Sequence, residues 1–412
     1  MKLNRRQLLL AGAGIAASTL QIGSATSTTP RSIESAPSGS SDNDWKSIQN
    51  LYKVDRDLVN LENGYWGAMP KPILDEYIKN TEFINFHNTG YARSEWGKDA
   101  ALIRQQVADA VGADISEIAL TRGATEALQK LLAGYNLLRP GDVIAYSDLD
   151  YDSMQYVMDW LVKERGVRLQ KISIPEPATK ENVLATYQEL LKTPKLKLLL
   201  LTHLSHRTGL VMPIAEISTM AKAKGIDTIV DAAHSWGQID FNVKDLQSDF
   251  VGFNLHKWIS APIGVGFLYI NKDRLSAING DYDDQDYAKE DIRGRIHTGT
   301  RNFAALMTVP TAIKLHQTIT AKAKQERLTY LRDLWVAGLQ DNKKIQVLTP
   351  NDRSMHAGIT AFRFNDLRDS KANNELVKTL KEQHQLLVVR RGGVSAGDVL
   401  RVSPALYTTD AD

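Results

Sequence analysis

Asp231 and Lys257 stand where a reactive amine and its electrostatic partner would be built. Asp231 closes the run 226–230 and opens the string DAAHSWG, and Lys257 follows the apolar stretch 250–255 in GFNLHKW. Each sits at the end of an apolar run of strand length. A buried lysine gives up its charge readily and becomes a nucleophile at neutral pH. A buried carboxylate needs a cationic partner or shifts its pKa. That pair suits pyridoxal 5'-phosphate (PLP): the lysine forms a Schiff base with the cofactor aldehyde, and the carboxylate keeps the pyridine nitrogen protonated. For Asp231 taken alone, a structural salt bridge or a helix cap is an equal reading.

Such a site also needs a phosphate cradle and ring contacts. Thr121-Arg122-Gly123-Ala124-Thr125-Glu126 is a small-residue turn opening a helix, where backbone N–H groups and the helix dipole would face an anion. The same string reads as an N-cap with Thr125 as the cap. His256 is placed to donate to phosphate, His234 to touch the ring edge, and Tyr151 in DLDYDS to stack on the pyridine face. The plain alternatives are a satisfied polar histidine and a core aromatic.

The surrounding pattern alternates strands and helices. Strands are expected at 118–120, 143–146, 168–174, 196–202, 228–231, 250–254 and 264–270, with helices at 125–138, 153–165, 180–192 and 214–224. This order predicts an α/β fold with a mostly parallel seven-stranded sheet flanked by helices, and ligands beyond the carboxyl ends of the strands. Asp231 and Lys257 both fall there. From about residue 306 the pattern becomes one long helix at 314–339, short strands at 345–348, 358–363, 386–390 and 399–402, and a helix at 374–384, a smaller α+β lobe. The expected organisation is a leader at 1–25, a flexible linker at 26–44, a large cofactor-binding domain at 45–305 and a small domain at 306–412.

Composition narrows the field. The 412 residues carry a net charge of +2 with no basic stripe, so no nucleic-acid partner is expected. Cysteine is absent, which excludes disulfides, thiolate metal sites and a cysteine nucleophile. No close-spaced His/Glu motif suggests a metal. Lys2, Arg5 and Arg6 precede an apolar stretch at 8–20 that is too short for a stable membrane anchor, and Gly23-Ser24-Ala25 offers a cleavage site. The paired arginines before Gln-Leu-Leu resemble a twin-arginine export signal; an ordinary Sec signal is the alternative. The twin-arginine translocase carries folded proteins, which fits an enzyme loaded with a cytoplasmic cofactor and delivered to the periplasm. Removing those three basic residues changes the net charge from +2 to −1. Gly12 to Ala17 matches a dinucleotide fingerprint but follows no strand, and is rejected.

TRGATEAL, DLDYDS, THLSHRTG, DAAHSWGQ, NLHKWISAPIGVGFLY, HTGTRN and LRVSPALY occur in this order. Together they resemble the class V aminotransferase-fold PLP enzymes of fold type I, and within them the isopenicillin N epimerase-like subgroup, over about 61–407. LENGYWGAMP is similar to the loop at that subgroup's site mouth. The resemblance implies Lys257 as the Schiff-base lysine and Asp231 as the pyridinium partner. It implies His234 on the phenolic oxygen, Ala124, Thr125 and His256 on phosphate, and Tyr151 on the ring. It implies Gly299 and Thr300 reaching the phosphate of a neighbouring subunit, hence a homodimer with shared sites. Arg401 would grip the substrate α-carboxylate, and Asn63 and Tyr65 would line the substrate entrance. Read without the resemblance, Arg401 is a surface arginine on a strand.

Two departures follow. Cysteine desulfurases on this fold use a loop cysteine, and none exists here. The resemblance implies a closing helix past the equivalent of Tyr407, so either a loosely capped small lobe or a plain lack of that helix is expected. The expected chemistry begins with proton removal at the α-carbon of an amino acid or peptide-linked amino acid, Lys257 acting as base and acid. Aminotransferase-type chemistry leads; epimerisation and C–S or β-elimination are the alternatives, and a binding protein that has lost catalysis is a remote one. Arg93, Arg207, Arg390 and Arg391 lie near site loops or strand ends; more than one facing the site would favour a substrate with a second carboxylate, and a solvated surface arginine is the alternative for each.

Overall fold

The computed structural model describes residues 42–412 except 284, 298 and 340. The expected leader and nearly all of the linker lie outside the described residues. Helix α1 (Asp42–Gln49) begins within the last residues assigned to that linker.

The large lobe carries α2 (Lys71–Ser94), α3 (Trp96–Val111), α4 (Ala124–Gly134), α5 (Asp152–Arg165), α6 (Lys180–Leu190), α7 (Ile214–Lys222) and α8 (Phe303–Ile319). Strand β1 (Val59–Asn60) precedes seven that form one sheet: β2 (Ile118–Thr121), β3 (Val143–Ser147), β4 (Arg168–Ile172), β5 (Leu196–Thr202), β6 (Asp227–Asp231), β7 (Phe250–Asn254) and β8 (Gly266–Ile270). Their order is β2-β8-β7-β6-β5-β3-β4. The central pairs are parallel, and β8 runs antiparallel to both β2 and β7.

Side-chain alternation explains why the sheet is covered on both faces. Along β5, Leu198 and Leu200 join one core with Leu128 and Leu131 of α4 and Met154 and Met158 of α5. Leu199 and Leu201 join the other, with Val107 of α3, Val183 of α6, Ile217 of α7 and Val309 of α8. Helices α2 and α3, which the sequence reading leaves unassigned, pack against α8.

The small lobe carries α9 (Ala321–Ala337), β9 (Ile345–Val347), β10 (Thr360–Phe364), α10 (Ser370–His384), β11 (Leu386–Leu387), β12 (Val389–Arg391) and β13 (Val399–Val402). Its antiparallel sheet has the order β12-β13-β10-β9. The single helix expected at 314–339 is two helices. Thr320 sits between them at φ 74°, and its hydroxyl accepts the Ala323 N–H as an N-cap. The expected domain border after residue 305 therefore falls inside α8. The front of the chain also belongs partly to the small lobe, because β1 pairs in parallel with β11.

The small lobe is not loosely capped. Asp410 accepts from Arg327 at 2.8 Å and from Tyr330 at 2.7 Å, and the Thr408 carbonyl accepts from Gln49 at 3.1 Å. Among the described residues no helix is long and apolar enough to cross a membrane.

Candidate active site

Asp231 ends β6 and Lys257 follows β7, its neighbour in the sheet, so both reach the carboxyl edge together. Burial pushes the Lys257 amine down to about 8, against the attraction of Asp231. Burial raises the Asp231 carboxyl, while the Ala233 N–H at 2.8 Å and the charge of Lys257 hold it down. Nζ of Lys257 lies 2.9 Å from Nε2 of His234. Trp258 Nε1 donates to His234 Nδ1 at 3.5 Å, so the residue after the lysine also orients the ring. Gln238 fixes this loop from below, donating to the His234 carbonyl at 2.9 Å and accepting the Ile359 N–H at 3.1 Å.

The expected cradle forms at the start of α4. Its cap is Gly123, not Thr125, and that residue itself offers no side chain to the helix. Asn254, at the end of β7, accepts the Ala124 N–H at 2.8 Å and holds the helix mouth over the strand edge. A Cβ on Gly123 would lie 3.0 Å from Asn254 Oδ1 and 3.2 Å from His256 Cε1, so only glycine leaves this mouth open. Thr125 lies exposed beside it. His256 is there, but its role differs from the simple donor expected. Its Nδ1 faces the Val265 carbonyl at 3.0 Å, which can only accept, so the neutral ring presents a bare Nε2. Burial takes His256 down to about 4; only an anion such as phosphate would draw a second proton onto it.

Tyr151 caps α5, partly exposed, and its ring meets His206 edge-on at 5.1 Å. His206, inside THLSHRTG, is a site residue that sequence reasoning missed. It is buried, its Nδ1 has no hydrogen-bond partner, and its carbonyl accepts from Arg401 Nη1 at 2.7 Å. A second missed group is Asp150, buried under Thr202 and Ser147 and pushed up to about 7 by desolvation.

Arg401 is no surface residue. Its side chain is fully buried on β13, and burial lowers it to about 10. Asn63 departs from its expected role. Its amide donates to the carbonyls of Asn60 and Ser403, each at 2.9 Å, and accepts from Tyr407, so it pins the 61–67 segment and has no group left for a substrate. Tyr65 is 70% exposed against Trp66. Gly299 and Thr300 are exposed before α8. Of the four further arginines, Arg207 is bound to Asp152 and the Gly392 carbonyl, Arg390 to Asp398, and Arg391 to Glu62 at 3.1 Å. Arg93 is exposed at the end of α2.

A half-buried lysine that feels the charge of a buried carboxylate, a helix N-terminus at the strand edge and a half-buried imidazole with a bare Nε2 fit PLP. Lys257 would carry its aldehyde carbon, Asp231 would face its ring nitrogen, and α4 and His256 would hold its phosphate. The fold and the site thus define a PLP-dependent enzyme.

The comparisons with known proteins give the family. The model of the aminotransferase class-V family matches residues 69–412, and the chain belongs to that family. The isopenicillin N epimerase of Streptomyces clavuligerus is 25% identical over 385 residues, spanning 90% of this chain and 96% of that protein. A probable cysteine desulfurase of Pyrococcus abyssi is 27% identical, spanning 81% and 84%. Among solved structures, the cystine C-S lyase C-DES with its product cysteine persulfide superposes with a TM-score of 0.75 at 22% identity, covering 86% of this chain and 95% of that one. The apo cysteine desulfurase of Thermococcus onnurineus superposes at 0.73 with 20% identity, covering 88% and 94%.

Proposed function

We propose that this chain is an exported PLP-dependent enzyme that removes the α-proton of an amino acid or peptide-linked amino acid, with aminotransferase-type chemistry. The observation that carries this reading is that the buried Asp231 carboxylate and the buried Arg401 guanidinium both act on the charge of a deprotonatable Lys257. When bound, PLP supplies the electron sink for charge released at the α-carbon. Arg401 would orient the substrate through its carboxylate, Asp231 would keep the ring nitrogen charged, and Lys257 would move the proton. His234 holds the amine of Lys257, and the N-terminus of α4 would face the phosphate.

A second reading, return of the proton to the opposite face or loss of a β-substituent, is favoured by the epimerase and C–S lyase names among the relatives. A cysteine-nucleophile desulfurase is disfavoured, because the chain has no cysteine. The twin-arginine motif supports export to the periplasm, and the exposure of Gly299 and Thr300 suits a homodimer in which each subunit completes the other's site.

The test is the visible absorbance of the purified protein with L-glutamate, alongside Lys257→Ala. Bleaching to the amine form of the cofactor supports amino transfer. A stable band with exchange of the α-hydrogen for solvent deuterium supports the second reading. No band after cofactor is supplied overturns both.

A further inference from the structure

The guanidinium that would grip a substrate carboxylate already holds one. Glu62, in the segment after β1, places Oε2 on Arg401 Nη2 and Oε1 on Arg391 Nη2, the latter at 3.1 Å. The contact joins residues 339 positions apart and brings the front of the chain onto β13. The segment lies directly on the guanidinium: a Cβ on Gly64 would sit 2.5 Å from Arg401 Nη2 and 2.7 Å from its Cζ. Its far end is tied to the lysine loop, where the Gly67 N–H donates to the His256 carbonyl at 2.9 Å.

The arrangement is poorly matched as a permanent bridge. The strong geometry for arginine and carboxylate is a two-point fork. Here the carboxylate is split, one oxygen to each arginine. The Nε atoms of both Arg401 and Arg391 are buried without a hydrogen-bond partner. Arg401 is fully buried, whereas Arg391 is 26% exposed at its side chain. A fully buried guanidinium without a counter-charge is costly, so an unliganded site needs Glu62. A carboxylate ligand that took Arg401 in a fork would leave Glu62 still paired with Arg391.

We propose that Glu62 is an internal counter-carboxylate: it closes Arg401 in the empty site, yields it to a substrate carboxylate while staying on Arg391, and so lets the site admit amines that lack a carboxylate as well as amino acids. This rests on the reading of Arg401 as the carboxylate anchor and assigns Glu62 and Arg391 the choice between the two substrate classes.

The experiment titrates cofactor-loaded protein by calorimetry with propionate, which has the carboxylate and no amine, and with propylamine, which has the reverse. Removing the competitor with Glu62→Gln is expected to tighten propionate at least fivefold and to weaken propylamine relative to it. Arg391→Gln removes the group that receives Glu62 and is expected to weaken propionate at least threefold, the opposite sign. Glu62→Gln that folds and loads cofactor yet changes propionate affinity by less than fivefold overturns the proposal. So does Arg391→Gln with unchanged or tighter binding, which decides the matter if Glu62→Gln does not fold. A wild-type protein that takes up no cofactor fails the reading of the site itself, a different result from loaded protein that ignores these substitutions.

Discussion

The amine of Lys257 and Nε2 of His234 lie 2.9 Å apart, and the other nitrogen of that imidazole faces the indole N–H of Trp258 at 3.5 Å. An indole N–H can only donate, so Nδ1 accepts and Nε2 carries the proton. Nε2–H must then donate to the lone pair of Lys257, which requires a neutral amine. Burial acts in the same direction, taking this amine down to about 8, so the neutral form becomes the main one only above that pH.

The first expected outcome concerns cofactor uptake. Free lysine titrates near 10.5, so a shift to about 8 leaves roughly 300-fold more neutral amine at pH 7. The rate at which protein stripped of cofactor regains its visible band should rise with pH and level off just above 8. A rate still climbing tenfold per unit at pH 9 would show that Lys257 is not the depressed amine. Lys257→Ala should show no such band and lose about 10³-fold or more in turnover.

Arg401 gives the second. Lysine cannot reproduce a planar two-point grip, and its ammonium would also be left in a dry site. Arg401→Lys is expected to raise KM for amino acids roughly 10- to 100-fold with a smaller effect on kcat, the pattern of lost ground-state binding. Unchanged KM with a fallen kcat would mean that Arg401 shapes the site and does not hold substrate.

Lys324 gives a third, in stability. It is a buried residue of α9 itself, donates to the Trp258 carbonyl and lies 3.3 Å from Nδ1 of His316. Burial takes it down to about 7, well below its unfolded value. Between those values the unfolded chain binds the extra proton, so this group makes the folded state more stable as pH rises, by about 1.4 kcal/mol per unit. Urea unfolding of wild type and Lys324→Met at several values between pH 7 and 10 should give curves that converge toward the alkaline end. A constant difference across that window would remove Lys324 as the titrating group.

Lys257 and Asp231 are legible in the sequence because a charged residue closing an apolar strand is a local signal, and the strand-to-strand neighbourhood follows from the α/β pattern. His206 is not legible from spacing, since its importance comes from Tyr151 and Arg401, which lie on other elements. Asn254 reaches Ala124 across 130 residues, and Glu62 reaches Arg401 across the whole fold. The break at Thr320 is masked because the apolar pattern continues through it. Asn63 misleads for the opposite reason: its place beside Gly64 and Tyr65 suggests a substrate contact, but Asn60, Ser403 and Tyr407 use its amide completely.

The site is assembled from both lobes, so the last expectation concerns what docks them. Arg363 of β10 is fully buried and donates to both oxygens of Glu176, at 2.6 and 2.9 Å, from the loop after β4. Glu176→Ala leaves that guanidinium with carbonyl and amide partners only, and removal of one partner from a buried pair costs about 3–5 kcal/mol. Replacing both, with Glu176→Ala and Arg363→Met together, removes the buried charge as well as the bond. The double variant should therefore unfold at a higher urea concentration than Glu176→Ala alone. If the single variant is the more stable of the two, Arg363 does not depend on Glu176, and the lobes are held by the contacts of Arg207 with Gly392 and of Asp148 with Ser395 instead.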